Sequence, residues 1–161
     1  MKIKRKQVLD SVRILERIKS EKLPIRTSFK LVKIIRTLRE EAEAIQEAIM
    51  ANDEIRNFEA KRMEILRKYA RKDQDGNPIT LPNGLVDIPP EDMPKVDEEM
   101  KKLNEEYPDV TPDKIADFYN QLNSLLEEEI EKEIEPIPIE EFESITITPA
   151  DLDVISFIIK E

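Results

Sequence analysis

From Pro24 to Arg71 the chain carries no glycine and, after Pro24 itself, no proline. Within that stretch Leu31, Ile35, Leu38, Ala42, Ile45 and Ile49 recur at alternating steps of four and three. Such spacing draws one apolar seam along a helix and leaves Lys, Arg and Glu to the other faces. A continuous helix here would run about 70 Å, longer than a domain of this size is wide. Other elements, or another chain, must pack along it. The seam slips at Met50-Ala51-Asn52-Asp53, and apolar residues resume out of step at Ile55, Phe58, Met63, Leu66 and Tyr69. With no Gly or Pro to enforce a stop, the favoured reading is a continuous helix whose buried face rotates. The alternative is a break with Asn52 or Asp53 as a new N-cap.

Composition narrows the chemistry. Apolar and charged residues each make up 39% of the 161 residues, whereas charge usually takes about a quarter. A thin core of amphipathic helices suits that balance better than a thick sandwich. Cys, His and Trp are absent. Disulfides, thiol chemistry, Ser–His and Cys–His nucleophile pairs, and most zinc and iron sites are thereby excluded. Two glycines, Gly76 and Gly84, cannot build a P-loop or a dinucleotide fingerprint. The reading is therefore of a protein that is not an enzyme, with no catalytic, cofactor-binding or metal-binding residue, no cofactor and no small-molecule substrate. No apolar run reaches the roughly eighteen residues of a membrane span, so no membrane partner is expected. The basic start MKIKRKQVLD lacks the apolar stretch of a secretory signal, and no export is expected.

Charge is unevenly spread. Residues 1–39 hold 13 Lys or Arg against 3 Asp or Glu, while the remainder holds 13 against 33, within a net charge of −10. The preferred reading is a basic arm that meets the acidic remainder, in the same chain or on a neighbouring copy. The competing reading is a phosphate-binding surface built by Lys2, Lys4, Arg5, Lys6, Arg13, Arg17, Arg26, Lys30, Lys33 and Arg36, with Lys4, Arg5, Lys6, Arg13 and Arg17 as the nucleic-acid contacts. The negative field of the whole chain and the lack of stacking aromatics weigh against nucleic acid.

A first helix is expected over residues 4–21, with Val8, Val12, Leu15 and Ile18 as its stripe, ended by Leu23-Pro24. So short a link favours an antiparallel pair with the first half of the long helix. Residues 72–92 are rich in turn dipeptides, and Ile79-Thr80-Leu81 with Leu85-Val86-Asp87-Ile88 predict a small hairpin. Asp73-Gln74-Asp75-Gly76-Asn77 lacks calcium-loop spacing and reads as a plain turn. A helix follows over 91–106. Thr111-Pro112-Asp113 opens another, with Ile115, Phe118, Tyr119, Leu122, Leu125 and Leu126 as its buried stripe. Residues 130–139 and Ile145-Thr146-Ile147 read as extended. Thr148-Pro149 with Asp151 opens a last helix whose Leu152, Ile155, Phe157, Ile158 and Ile159 are expected to dock. Burying such side chains contributes about 1.5–3 kcal/mol each.

Taken in order, these pieces form a pattern: Lys22-Leu23-Pro24, Arg67-Lys68-Tyr69, the run KDQDGN at 72–77, EPIPI at 135–139 and SITITPADL at 144–152. The pattern resembles a group of small proteins encoded by tailed bacteriophages and prophages, mostly of unassigned function. An extra portion around residues 78–112 departs from it. The resemblance implies a phage origin and an interaction role, with a place in the virion or the host cytoplasm, and supplies no catalytic residues.

The expected fold is mostly α with an α+β tendency: a long central helix, an antiparallel N-terminal helix, small β elements and a C-terminal docking helix. Three portions are expected: a helical hairpin over 1–72, a turn-rich linker over 73–92, and an acidic helix–strand–helix portion over 93–161. The expected function is protein–protein contact, with itself or another phage protein, as a virion component or assembly factor. Leu31, Ile35, Leu38, Ile55, Phe58, Phe157 and Ile158 are the interaction residues, packing within the chain or against a copy. The alternatives are a nucleic-acid-associated regulator using residues 1–39, or a small acidic inhibitor of a host enzyme.

Overall fold

The computed structural model describes residues 1–160. In chain order its elements are β1 (Lys2–Lys4), α1 (Arg5–Ile18), α2 (Ile25–Met50), α3 (Asp53–Tyr69), α4 (Met93–Glu106), α5 (Pro112–Glu127), β2 (Glu129–Glu131), β3 (Ile137–Pro138), α6 (Pro149–Ile155) and β4 (Ile159–Lys160). The chain is mostly helical, with its short strands in two small sheets. It divides into two compact units, one of Met1–Ile49 with Tyr119–Glu161 and one of Met50–Phe118. These units divide at Met50 and again within α5.

The first unit is organised by the α2 seam. Leu31, Ile34, Ile35, Leu38 and Ala42 are buried in one cluster with Val8, Ile14, Leu15 and Ile18 of α1. Ile137, Phe142, Ile155 and Ile158 from the C-terminal segments complete it. β1 pairs antiparallel with β2, Ile3 opposite Ile130, so Ile3 is buried while Lys2 and Lys4 face water. β3 pairs parallel with β4, Ile137 opposite Ile159. The Thr148 hydroxyl caps α6 as its spacing predicts, accepting from the Asp151 N–H at 3.1 Å.

α1 shares that buried cluster with α2, as expected, and its backbone lies closest along α6, where Gln7 reaches the Val154 carbonyl at 3.4 Å. Three expectations are corrected here. The last helix stops at Ile155, because residues Ser156–Ile158 form a 3₁₀ turn that delivers Ile159 to β3. Ile145-Thr146-Ile147 forms no strand; Ile145 and Ile147 are half-buried against the core. No residue of α5 is fully buried: Ile115, Phe118, Leu122, Leu125 and Leu126 are half-buried and Tyr119 is exposed.

The second unit packs α3 against α4. Phe58, Leu103 and Val110 are its buried cluster, with Ile55, Ile65, Met100, Tyr107 and Ile115 against them. The Phe58 and Tyr107 rings meet edge to face, 5.9 Å between centroids. Between the helices, Thr80 bridges Val86 in the expected hairpin, and Gly84 takes the positive φ of 81° that its turn demands. Asp73 Oδ1 accepts from the N–H groups of Asp75 and Asn77, both at 2.9 Å, which makes the expected plain turn.

The long helix is not continuous. α2 ends at Met50, Asn52 sits at φ −105° and ψ 42°, and α3 begins at Asp53. The Asn52 carbonyl accepts the first α3 bond, from Arg56 N–H at 3.2 Å, and Asp53 and Glu54 suit the positive end of the new helix. The physical reason lies in the slipped seam. Leu38 and Ala42 belong to one cluster and Phe58 to another, so the two halves face different cores.

Candidate protein-docking face

The first turns of α2 carry two apolar side chains that the core does not take. Thr27, Leu31, Ile34 and Ile35 turn inward, which leaves positions 25, 26, 29 and 33 outside. Ile25 is 87% exposed and Phe29, one turn on, is 67% exposed. A scattered apolar residue at a surface needs no explanation. Two at helical spacing, beside a cleft, form a patch.

The rest of the face holds that patch in place. Pro24 precedes α2 and its carbonyl accepts from Ser28 N–H at 2.9 Å. The buried Thr27 hydroxyl bonds the Glu141 carboxylate, tying the start of the helix to the 3₁₀ turn Ile139–Phe142. The extended residues after β2 pass beside α2. Their origin is fixed by reciprocal backbone bonds between Met1 and Lys132, at 2.9 and 3.1 Å. Between the two segments lies a groove of about 560 Å³ lined by Met1, Phe29, Lys33, Ile34, Thr37 and Ile134, among others. Lys30 closes part of its rim by an ion pair to Glu135 at 2.9 Å. The hydrogen bond from Lys30 holds the Glu135 carboxyl below the usual carboxylate range. Arg26 and Lys33 are exposed and form no ion pair among the described residues. The face is thus apolar at its centre, with Arg26, Lys30 and Lys33 on the α2 side and Glu133 and Glu135 on the opposite wall.

Comparison with protein-family models, curated proteins and solved structures returns no match. Geometry alone therefore has to sort the residues singled out in the sequence. Leu31, Ile35, Leu38 and Ile158 are buried in the first unit, and Phe157 is half-buried against that core. Phe58 is buried in the second unit with Ile55 half-buried beside it. Packing inside the chain already occupies these side chains.

Among the basic candidates, Lys4 pairs with Glu127 at 2.5 Å, Arg5 with Glu41 at 2.6 Å and with Glu128, and Arg17 with Asp151 at 2.5 Å. The basic arm and the acidic remainder meet within one chain. A phosphate would have to displace carboxylates from Lys4, Arg5 and Arg17, while Lys6 and Arg13 stand exposed. No group of three Asp or Glu able to hold a metal ion occurs among the described residues, nor is any helix long and apolar enough to cross a membrane.

Sequence reasoning misses Ile25 and Phe29, because the apolar seam of α2 begins at Leu31. The signal was present. Ile25 and Phe29 are four apart, and the next steps along that line fall on Lys33 and Arg36. An apolar pair that does not continue is a patch and not a seam.

Proposed function

We propose that this chain is a non-enzymatic, phage-encoded protein that works by protein–protein contact, as a virion component or an assembly factor. One observation carries the contact reading: Ile25 and Phe29 are held open to water on a core-anchored helix, next to a groove lined by Lys33. Exposed apolar side chains rimmed by polar residues are a common mark of a surface that meets another protein. The phage origin rests on the ordered motifs at 22–24, 67–69, 72–77, 135–139 and 144–152. Mass spectrometry of particles and assembly intermediates, purified after induction of the encoding genome, tests it. The chain is expected in one of those fractions, and its absence from all of them counts against the proposal.

A further inference from the structure

We infer that the α2 face takes a short acidic, amphipathic segment of another protein, seating a bulky apolar side chain beside Phe29 and Ile34 with its carboxylates toward Arg26 and Lys33. This rests on the protein-contact reading above and gives that reading a partner class. Three features of the face select the occupant. The apolar floor is short, formed by Ile25, Phe29 and the groove residues Ile34 and Ile134. Beside it stand Arg26, which forms no ion pair among the described residues, and Lys33, whose charge reaches Glu135 without a close pair, whereas Lys4, Arg5, Arg17 and Lys30 are held directly by the chain's own acids. The scaffold is fixed, because Thr27 is bonded to Glu141 and the Met1–Lys132 bonds anchor the opposite wall.

A second copy fits less well. Its apolar floor is four side chains, whereas a stable dimer closes about 20–30 residues a side. An anionic membrane also fits less well, since Glu133 and Glu135 line the groove itself and would meet the lipid headgroups. A peptide can keep its carboxylates on the Arg26 and Lys33 side, away from Glu133 and Glu135. Arg26 and Lys33 then give complementary attraction, and Ile25 and Phe29 give burial.

The experiment selects short random peptides displayed on yeast against the full chain, then measures the enriched peptides, synthesised, by fluorescence anisotropy. Vesicles of phosphatidylserine and phosphatidylcholine form the second arm. Enriched peptides are expected to carry Leu, Ile, Phe or Trp flanked by Asp or Glu. Their affinity is expected to fall about tenfold or more in Phe29→Ser and in Lys33→Glu, and to weaken with salt. Both variants alter exposed positions and should keep the wild-type circular dichroism and melting temperature. Lys33→Glu should regain affinity for a peptide whose acids are replaced by Lys. Enriched peptides that bind both variants undiminished would overturn the assignment of this face while sparing the contact reading. Vesicle binding that Phe29→Ser abolishes, with no peptide enriched, would overturn both.

Discussion

The two units reach stability by different means. The first closes fourteen buried apolar residues, drawn from both ends of the chain, into one cluster, whereas the second closes three. Around its three the second unit relies on the Phe58–Tyr107 edge contact, with Lys61 5.0 Å above the Tyr107 ring. Turn chemistry at Asp73 and Gly84 and surface pairs such as Lys68–Glu99, at 2.6 Å, add to it. Exposed pairs of that kind contribute about 0–1 kcal/mol each. A broad core spreads the loss of one side chain over many neighbours; a cluster of three, with only Ala70 and Val96 buried elsewhere among the unit's described apolar residues, cannot.

The sharpest way to break this comparison is Phe58→Ala. Truncating a buried Phe costs about 3–5 kcal/mol, which is expected to remove hydrogen-exchange protection across α3 and α4 while α2 amides from Leu31 to Leu38 stay protected. Leu38→Ala, at about 2–5 kcal/mol, should lower the stability of the first unit yet leave it folded, as read by the same exchange pattern. If either variant unfolds both units together, the division into two is wrong as a description of stability. A smaller effect, about 1 kcal/mol, is expected from Thr148→Ala, which removes the α6 cap. Urea unfolding should locate that loss in the first unit alone.

Acid should have the smallest effect, and should separate the units again. In the first unit, hydrogen bonds hold four carboxyls below their ordinary range: Glu16 by Lys19 and Arg39, Glu127 by Lys4, Glu135 by Lys30, and Asp151 by Arg17 and Thr148. In the second, Glu99 is lowered by Lys68 and Tyr69. A carboxyl lowered in the folded state stabilises fully above its unfolded pKa, about 4, and loses that contribution as pH falls through the folded value. The first unit should therefore lose stability more steeply below about pH 4. Added salt should flatten the difference, since these pairs lie at the surface.

How much of this was legible depended on how local each cause is. The caps at Thr111 and Thr148 are written in three or four adjacent residues, and both hydroxyls accept the predicted N–H. The hairpin around Asn83-Gly84 is equally local. The break at Asn52 is not local, because no breaker residue stands there and spacing alone favours continuity. The deciding cause is that Phe58 finds Leu103 and Val110, a partnership no local spacing reveals. The pairing of β1 with β2 joins residues more than a hundred positions apart, and Lys2–Lys4 alone offers no strand signal. The docking face was readable only as an interrupted period, visible once the inward positions of α2 are known.

One consequence of the chain order concerns synthesis. The second unit lies wholly between the two stretches that form the first. As the nascent chain leaves the ribosome, α3 and α4 can meet as soon as both have emerged, but Leu31, Ile35 and Leu38 must wait for Ile137, Phe142, Ile155 and Ile158. At typical elongation rates that wait is on the order of ten seconds. During it α1 and the seam of α2 present their greasy sides to water, so this half of the molecule is where a chaperone would be needed most.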